Sequence, residues 1–286
     1  MQEKFLEILE FCFDVYDACT LWVIDMLTFK LDDRKSVLYA SATIAEKIND
    51  DVVKPIAISI ITICFLISFL KILTKEDIVR SETYAKIFFL MCFSKSAVNY
   101  SFSFCKKIYN KGTEMILSVE DLYFQDRSKF TYHTYSQNKD EIVAALNRMS
   151  VLHWIVVLTI SGIFTFLILI IPMIVTALSW GRYVEILVLM CGASLPMAFL
   201  PLEHEGRHII KTYYKYFISV VLQGFAVVIT MIICTKLTGS ITLEFASKVN
   251  GIGSLFAVLG NIFINAFVMI AAVMKSTQIA QKWIGQ

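Results

Sequence analysis

Apolar residues in this chain come in long blocks, not at the scattered spacing of a soluble core. Six runs, at 52–73, 84–104, 151–180, 183–202, 213–237 and 253–274, have the length of a bilayer span. A helix rises 1.5 Å per residue, so about 20 apolar residues cross a hydrocarbon core of roughly 30 Å. Lys54-Pro55 opens the first run, with proline where a helix start tolerates it. The second carries Lys95, Asn99 and several serines. The third exceeds what a perpendicular span needs, so tilt or interfacial overhang is expected. A short Gly181-Arg182 turn separates it from the fourth, which Pro196 and Pro201 interrupt. That run is either a sixth span or a re-entrant segment.

Between the runs the pattern changes. In residues 1–29, Glu3, Glu7, Glu10, Asp14 and Asp17 recur every three or four positions. Phe5, Leu6, Leu9, Phe13, Tyr16 and Trp22 fall largely on other faces. This predicts an amphipathic helix lying in an interface or against a partner. A bundle helix with a solvated acidic face fits equally. The acidic start does not resemble a signal peptide, which begins with a basic stretch. Residues 106–150 are charged and contain Tyr123, Tyr132 and Tyr135. They form the only stretch able to build a sizeable structure outside the membrane. The expected organisation is an amphipathic region at 1–50, two spans within 51–108, a polar segment at 109–150, and spans three to six with a tail at 151–286. The fold class is all-α, a polytopic membrane protein with five or six transmembrane helices.

Composition agrees: 57% of residues are hydrophobic and the mean hydropathy is +0.66, well above a soluble domain. A net charge of +2 without a basic tract gives no nucleic-acid surface. The seven cysteines lie mostly within apolar runs and show no metal-type pairing. With six spans, an inside amino terminus places eighteen Lys and Arg on cytoplasmic segments against seven outside, which the positive-inside rule favours.

Candidate chemistry is sparse. His204-Glu205-Gly206-Arg207-His208 matches H-E-x-x-H, a zinc-protease pattern in which both histidines ligate and Glu205 acts as base. No Asp follows Asp140, so an acidic third ligand would be Glu203 or a remote Glu such as Glu244. Pro201 just upstream places the motif at the start of a helix or in a loop. Lys95 would cost about 2.5–3.5 kcal/mol against lipid at mid-membrane, so it and Asn99, one turn on, should face protein or water. They either line a conduit or bond between helices. Gln223-Gly224, and Gly260 with Asn261 and Asn265, pose the same choice. No phosphate loop, Ser-His-Asp order or paired intramembrane carboxylates is present, and no cofactor is implied.

The run from Lys54 to Lys71 resembles the first span of TrbL-like proteins, polytopic subunits of conjugative type IV secretion systems. Phe93-Ser-Lys95-Ser-Ala-Val-Asn-Tyr-Ser-Phe102 resembles their second span. Ser194-Leu-Pro196-Met-Ala, the stretch from Glu205 through Tyr214 and Lys215, Leu222-Gln223-Gly224-Phe225 and the ending from Lys275 are similar as well. Thr212 stands where that family usually has Asn, and His208 where it has a small residue. The resemblance implies a channel or scaffold subunit in the cytoplasmic membrane, of the kind carried by mobile elements of Gram-positive bacteria. It further implies a ring of copies, other secretion subunits including ATPases, and transient contact with single-stranded DNA and its relaxase. It puts the central polar segment outside, against the charge count. The runner-up functions are a secondary transporter, which needs an internal repeat with paired broken helices, and the metalloprotease. On the non-catalytic reading Glu205→Gln keeps function, and the purified protein carries no stoichiometric zinc; loss of function together with bound zinc is the contrary result.

Overall fold

A computed structural model of the chain describes residues 7, 10, 11, 14, 18, 21–31, 38–73, 81–123, 151–202, 204–248, 267, 268, 270, 271 and 273–285. Every regular element among them is helical, as the block pattern predicts. In chain order these are α1 (Leu38–Ile48), a π turn (Asn49–Val53), α2 (Lys54–Leu73), α3 (Ser81–Tyr123), α4 (Val151–Cys191), α5 (Ser194–Ala198), a 3-10 turn (Leu200–Leu202) and α6 (His204–Lys248). Among the described residues, three stretches are long and apolar enough to cross a membrane: Leu38–Leu73, Met173–Ala198 and His204–Ile233. The sixth run expected at 253–274 falls almost entirely outside the described residues, as do Asn261 and Asn265.

Three boundaries differ from the sequence expectation, each for a local reason. Pro55 does not open the first span, because the helical path continues from α1 through the π turn into α2. In a continuous α-helix its ring would press on the Asp51 carbonyl and offer it no N–H. The turn just before it is widened instead, and the Lys54 N–H reaches Asn49 O. The second helix does not end near residue 104. It carries through Lys106, Lys107 and Lys111 to Tyr123, because these residues are good helix formers and no proline interrupts them. Gly181-Arg182 makes no turn, and α4 passes through it. An isolated glycine costs a helix only about 1 kcal/mol relative to alanine.

The chain packs as two compact units, each assembled from separated stretches. One comprises residues 1–28, 115–181 and 223–279. Its core joins Val23, Ile24, Val175, Val227, Met231 and Val273, flanked by Leu27, Leu178 and Ile270. A second cluster in the same unit sets Ile116, Val228 and Ile232 against Leu27, Val119 and Phe225, and Leu27 touches both. Trp22 packs on Trp180 with ring centroids 5.9 Å apart. Residues 21–27 are helical and bury Val23 and Ile24, while Asp14 and Asp25 stay exposed. Most of the expected amphipathic segment before residue 21 lies outside the described residues.

The other unit comprises residues 29–114, 182–222 and 280–286. Its apolar centre is built from Ala57, Ile61, Val98 and Ala198, with Ile60, Met91, Leu195 and Met197 around them. Small residues here let helix backbones approach, the usual basis of packing where lipid removes the hydrophobic drive between helices. The same logic applies where α3 passes α6. A Cβ built on Gly112 would lie 2.3 Å from Val221 Cγ1, and Val221 is itself buried. The Tyr109 hydroxyl donates to Phe29 O at 3.1 Å, and the Tyr183 hydroxyl donates to Leu38 O at 3.1 Å. On the outer face of α2, Ile56, Ile63, Leu66 and Leu70 remain exposed, as lipid contact requires. Gly112→Ala should destabilise the protein by about 1–3 kcal/mol, the usual cost of overpacking. Thermal unfolding in detergent checks this, and Gly112→Ala with Val221→Ala should recover most of the loss.

Candidate functional site

The chain from Gly192 to Pro201 holds two prolines five residues apart, and neither can continue a helical hydrogen-bond ladder. α4 therefore stops at Cys191. Gly192 N–H still reaches Val188 O at 3.1 Å, but Ala193 N–H turns to Met190 O at 3.2 Å. Leu195 N–H turns to Gly192 O at 3.0 Å, the carbonyl that Pro196 cannot serve. Those shortened bonds leave the Leu189 and Cys191 carbonyls without their helical donors. Pro201 likewise withholds the N–H that would have served Met197 O. Inside a membrane protein such groups cannot turn to bulk water, and each one left unpaired costs several kcal/mol.

Side chains from four neighbouring segments supply the donors. The Tyr213 hydroxyl on α6 donates to Leu189 O. Asn49 Nδ2 in the π turn donates to Cys191 O at 2.6 Å. Ser94 Oγ on α3 donates to Met197 O at 2.7 Å, and Ser68 Oγ on α2 donates to Pro201 O at 2.8 Å. A second line of bonds runs beneath the break. Asn49 Nδ2 lies 3.0 Å from Ser194 Oγ, which lies 2.9 Å from Ser101 Oγ, and Ser101 donates to Val98 O at 2.8 Å. Asn49, Ser101 and Ser194 have no exposed surface. The π turn matters here because it occupies the register that directs Asn49 inward. Cys191 Sγ adds a weaker bond to Ala45 O at 3.4 Å.

The restart at α6 is equally constrained. A Cβ on Gly206 would lie 1.8 Å from Phe199 O, so only glycine fits where the new helix passes the end of the old one. His204, Glu205 and His208 sit in the first turns of α6 and are all exposed. Glu205 lies 3.7 Å from Lys71 Nζ, an exposed pair of little energetic weight. Among the described residues no three His, Cys, Asp or Glu side chains gather as a metal site would require.

The other predicted residues separate into distinct surroundings. Pro196 is buried at the break. Tyr214 packs edge-on against Phe104 at 5.4 Å, and Lys215 Nζ reaches Gly285 O at 3.4 Å. Gln223 is buried and donates to the Thr277 hydroxyl, so this polar residue is used within the chain. Gly224 sits 3.5 Å, measured from a built Cβ, from Ile116 and Leu27 side chains. Lys95 and Asn99 lie exposed on α3, displaced from the buried Ser94, Val98 and Ser101. The sequence reading missed Asn49, Ser68 and Ser101 as site residues. Ser94 and Ser101, seven residues apart on the face of Val98, carried a signal; Asn49 looked like part of a polar connector.

A family model described as TrbL/VirB6 plasmid conjugal transfer like protein matches residues 39–194, more than half of the chain. No curated protein and no solved structure gives a match. The matched stretch contains Asn49, Ser68, Ser94, Ser101 and Ser194, whereas Pro196, Glu205, Tyr214 and Lys215 lie beyond it. Asn49→Leu should cost about 2–4 kcal/mol, since it leaves a buried carbonyl and a buried hydroxyl without their donor. Ser59→Ala is the control: Ser59 is exposed and bonds only to Pro55 O of its own helix. Thermal unfolding should show a large loss for the first substitution and little change for the second.

Proposed function

This chain belongs to the TrbL/VirB6 plasmid conjugal transfer-like family, and from that premise we propose that it is a membrane channel or scaffold subunit of a conjugative type IV secretion apparatus. It resides in the cytoplasmic membrane of a Gram-positive host and assists transfer of single-stranded DNA with its attached protein. Separate ATPases of the apparatus energise the transfer, because this chain carries no nucleotide motif.

The observation that carries this reading beyond the family is the proline-broken helix between Cys191 and His204, fixed by donors from α2, α3, α6 and the π turn. Irregular backbone at membrane depth is tolerated only where protein buries it or water lines it. It is an architecture for a rigid subunit with a fixed discontinuity, with no reactive group at its centre. Lys95 and Asn99 support assembly. Neither has a hydrogen-bond or ion-pair partner among the described residues, and both are exposed on a helix flanked by exposed Phe88, Phe89 and Phe93. In a ring of copies this seam faces a neighbouring subunit or a central aqueous path. The second seam expected from the sequence at Asn261 and Asn265 lies outside the described residues.

The secondary-transporter reading draws on the same broken helix, but transporters of that kind pair two such breaks through an internal repeat. Among the described residues there is one. In a donor strain lacking the native gene, wild-type protein should restore transfer. Lys95→Leu should reduce it at least tenfold at unchanged membrane abundance. Asn265→Leu should weaken self-association in nanodiscs while leaving insertion intact. A strictly monomeric protein that still supports transfer favours the single-chain transporter.

A further inference from the structure

A cavity of about 230 Å³ opens between the amino-terminal end of the first span and the middle of α3. It is lined by the apolar Leu31, Ala42 and Phe102 and by Tyr39, Thr43, Glu46 and Lys106. All of these belong to one compact unit. Its depth follows from helix lengths. The helical run Leu38–Leu73 has 36 residues, about 54 Å at 1.5 Å per residue, against a hydrocarbon core of roughly 30 Å. The uninterrupted apolar part lies after Pro55, so the α1 end, beyond Asp50, Asp51 and Lys54, overhangs at headgroup level. Lys106 likewise lies just past the apolar run of α3 that ends near Phe104.

We propose that this cavity binds the headgroup of a zwitterionic phospholipid carrying a primary amine, of the phosphatidylethanolamine type. The Lys106 ammonium and the Tyr39 hydroxyl meet the phosphate, the Glu46 carboxylate accepts from the amine, and the Thr43 hydroxyl, which donates to Tyr39 O at 2.9 Å, only lines the wall. Side chains of both signs on one wall match a ligand that carries both signs. An anionic lipid would bring its phosphate against Glu46 without the compensating amine. A choline headgroup has no N–H for Glu46 to accept. The volume also lies below the roughly 300–1,000 Å³ of ordinary small-molecule pockets, which suits a headgroup whose acyl chains run outside along the exposed apolar faces of the helices.

The test is native mass spectrometry of the full-length protein in detergent with equimolar dioleoyl phosphatidylethanolamine, phosphatidylglycerol and phosphatidylcholine. The expected result is preferential retention of phosphatidylethanolamine. Lys106→Ala should lower its retention about tenfold, on the scale of one charge-assisted hydrogen bond. Glu46→Gln, an exposed and nearly isosteric change, should abolish discrimination against phosphatidylglycerol while leaving the fold intact. Soluble glycerophosphoethanolamine should compete weakly, because it lacks the acyl chains; competition as strong as the lipid's would overturn the lipid assignment in favour of a free headgroup compound. Equal retention of all three lipids, or retention unaffected by both substitutions, overturns the site itself. None of these readouts depends on DNA transfer.

Discussion

A carbonyl oxygen that has lost its helical donor inside a membrane protein has to find another one, and the rest of one unit is arranged around that requirement. Pro196 and Pro201 withdraw two N–H groups, and the turn at Ala193 and Leu195 diverts two more. Leu195 N–H serves the carbonyl that Pro196 leaves, Tyr213, Asn49 and Ser94 serve the other three, and Ser68 from a fourth segment holds Pro201 O at the end of the break. Each bond contributes only about 0.5–1.5 kcal/mol net, while an unsatisfied buried group costs about 1–3 kcal/mol or more. The asymmetry ties the break to its neighbours: no single helix can shift without stranding a carbonyl on another. Close approaches reinforce it, at Gly206 against Phe199 O and at Gly112 against Val221.

This arrangement gives the unit a defined shape from hydrogen bonding and close packing alone. The fixed discontinuity shapes backbone and surface without a metal-type cluster among the described residues. The charged groups near the break, Lys71 and Glu205, are exposed and 3.7 Å apart, so they contribute little to its stability. Among the described residues, Lys95 and Asn99 are exposed polar groups away from the break. They face outward from α3, and a second subunit or a water path can meet their hydrogen-bonding needs where lipid cannot. Gln223, by contrast, is buried and donates to Thr277.

The tendency of a membrane helix to continue explains most of the boundary differences. Within apolar surroundings a helix satisfies its own backbone, so weak breakers such as Gly181 or a charged stretch such as Lys106-Lys107 do not stop it. The paired Pro196 and Pro201 do. Pro55 produces a π turn and no stop, because one added residue relieves the ring and its missing N–H.

By itself the amino-acid sequence determined that this is an all-helical membrane protein, that the 183–202 run is discontinuous, and which family the chain resembles. These follow from local quantities: the length of apolar runs, the geometry of proline, and motif spacing. Only the tertiary structure decided which polar residues serve the break. Asn49 and Ser194 are 145 positions apart, and nothing near either of them in the chain marks the pairing. It arises because the π turn rotates one residue inward at the place where the distant helix has lost its donors. Hydrogen-bond need is created locally, whereas its satisfaction depends on which segments pack together.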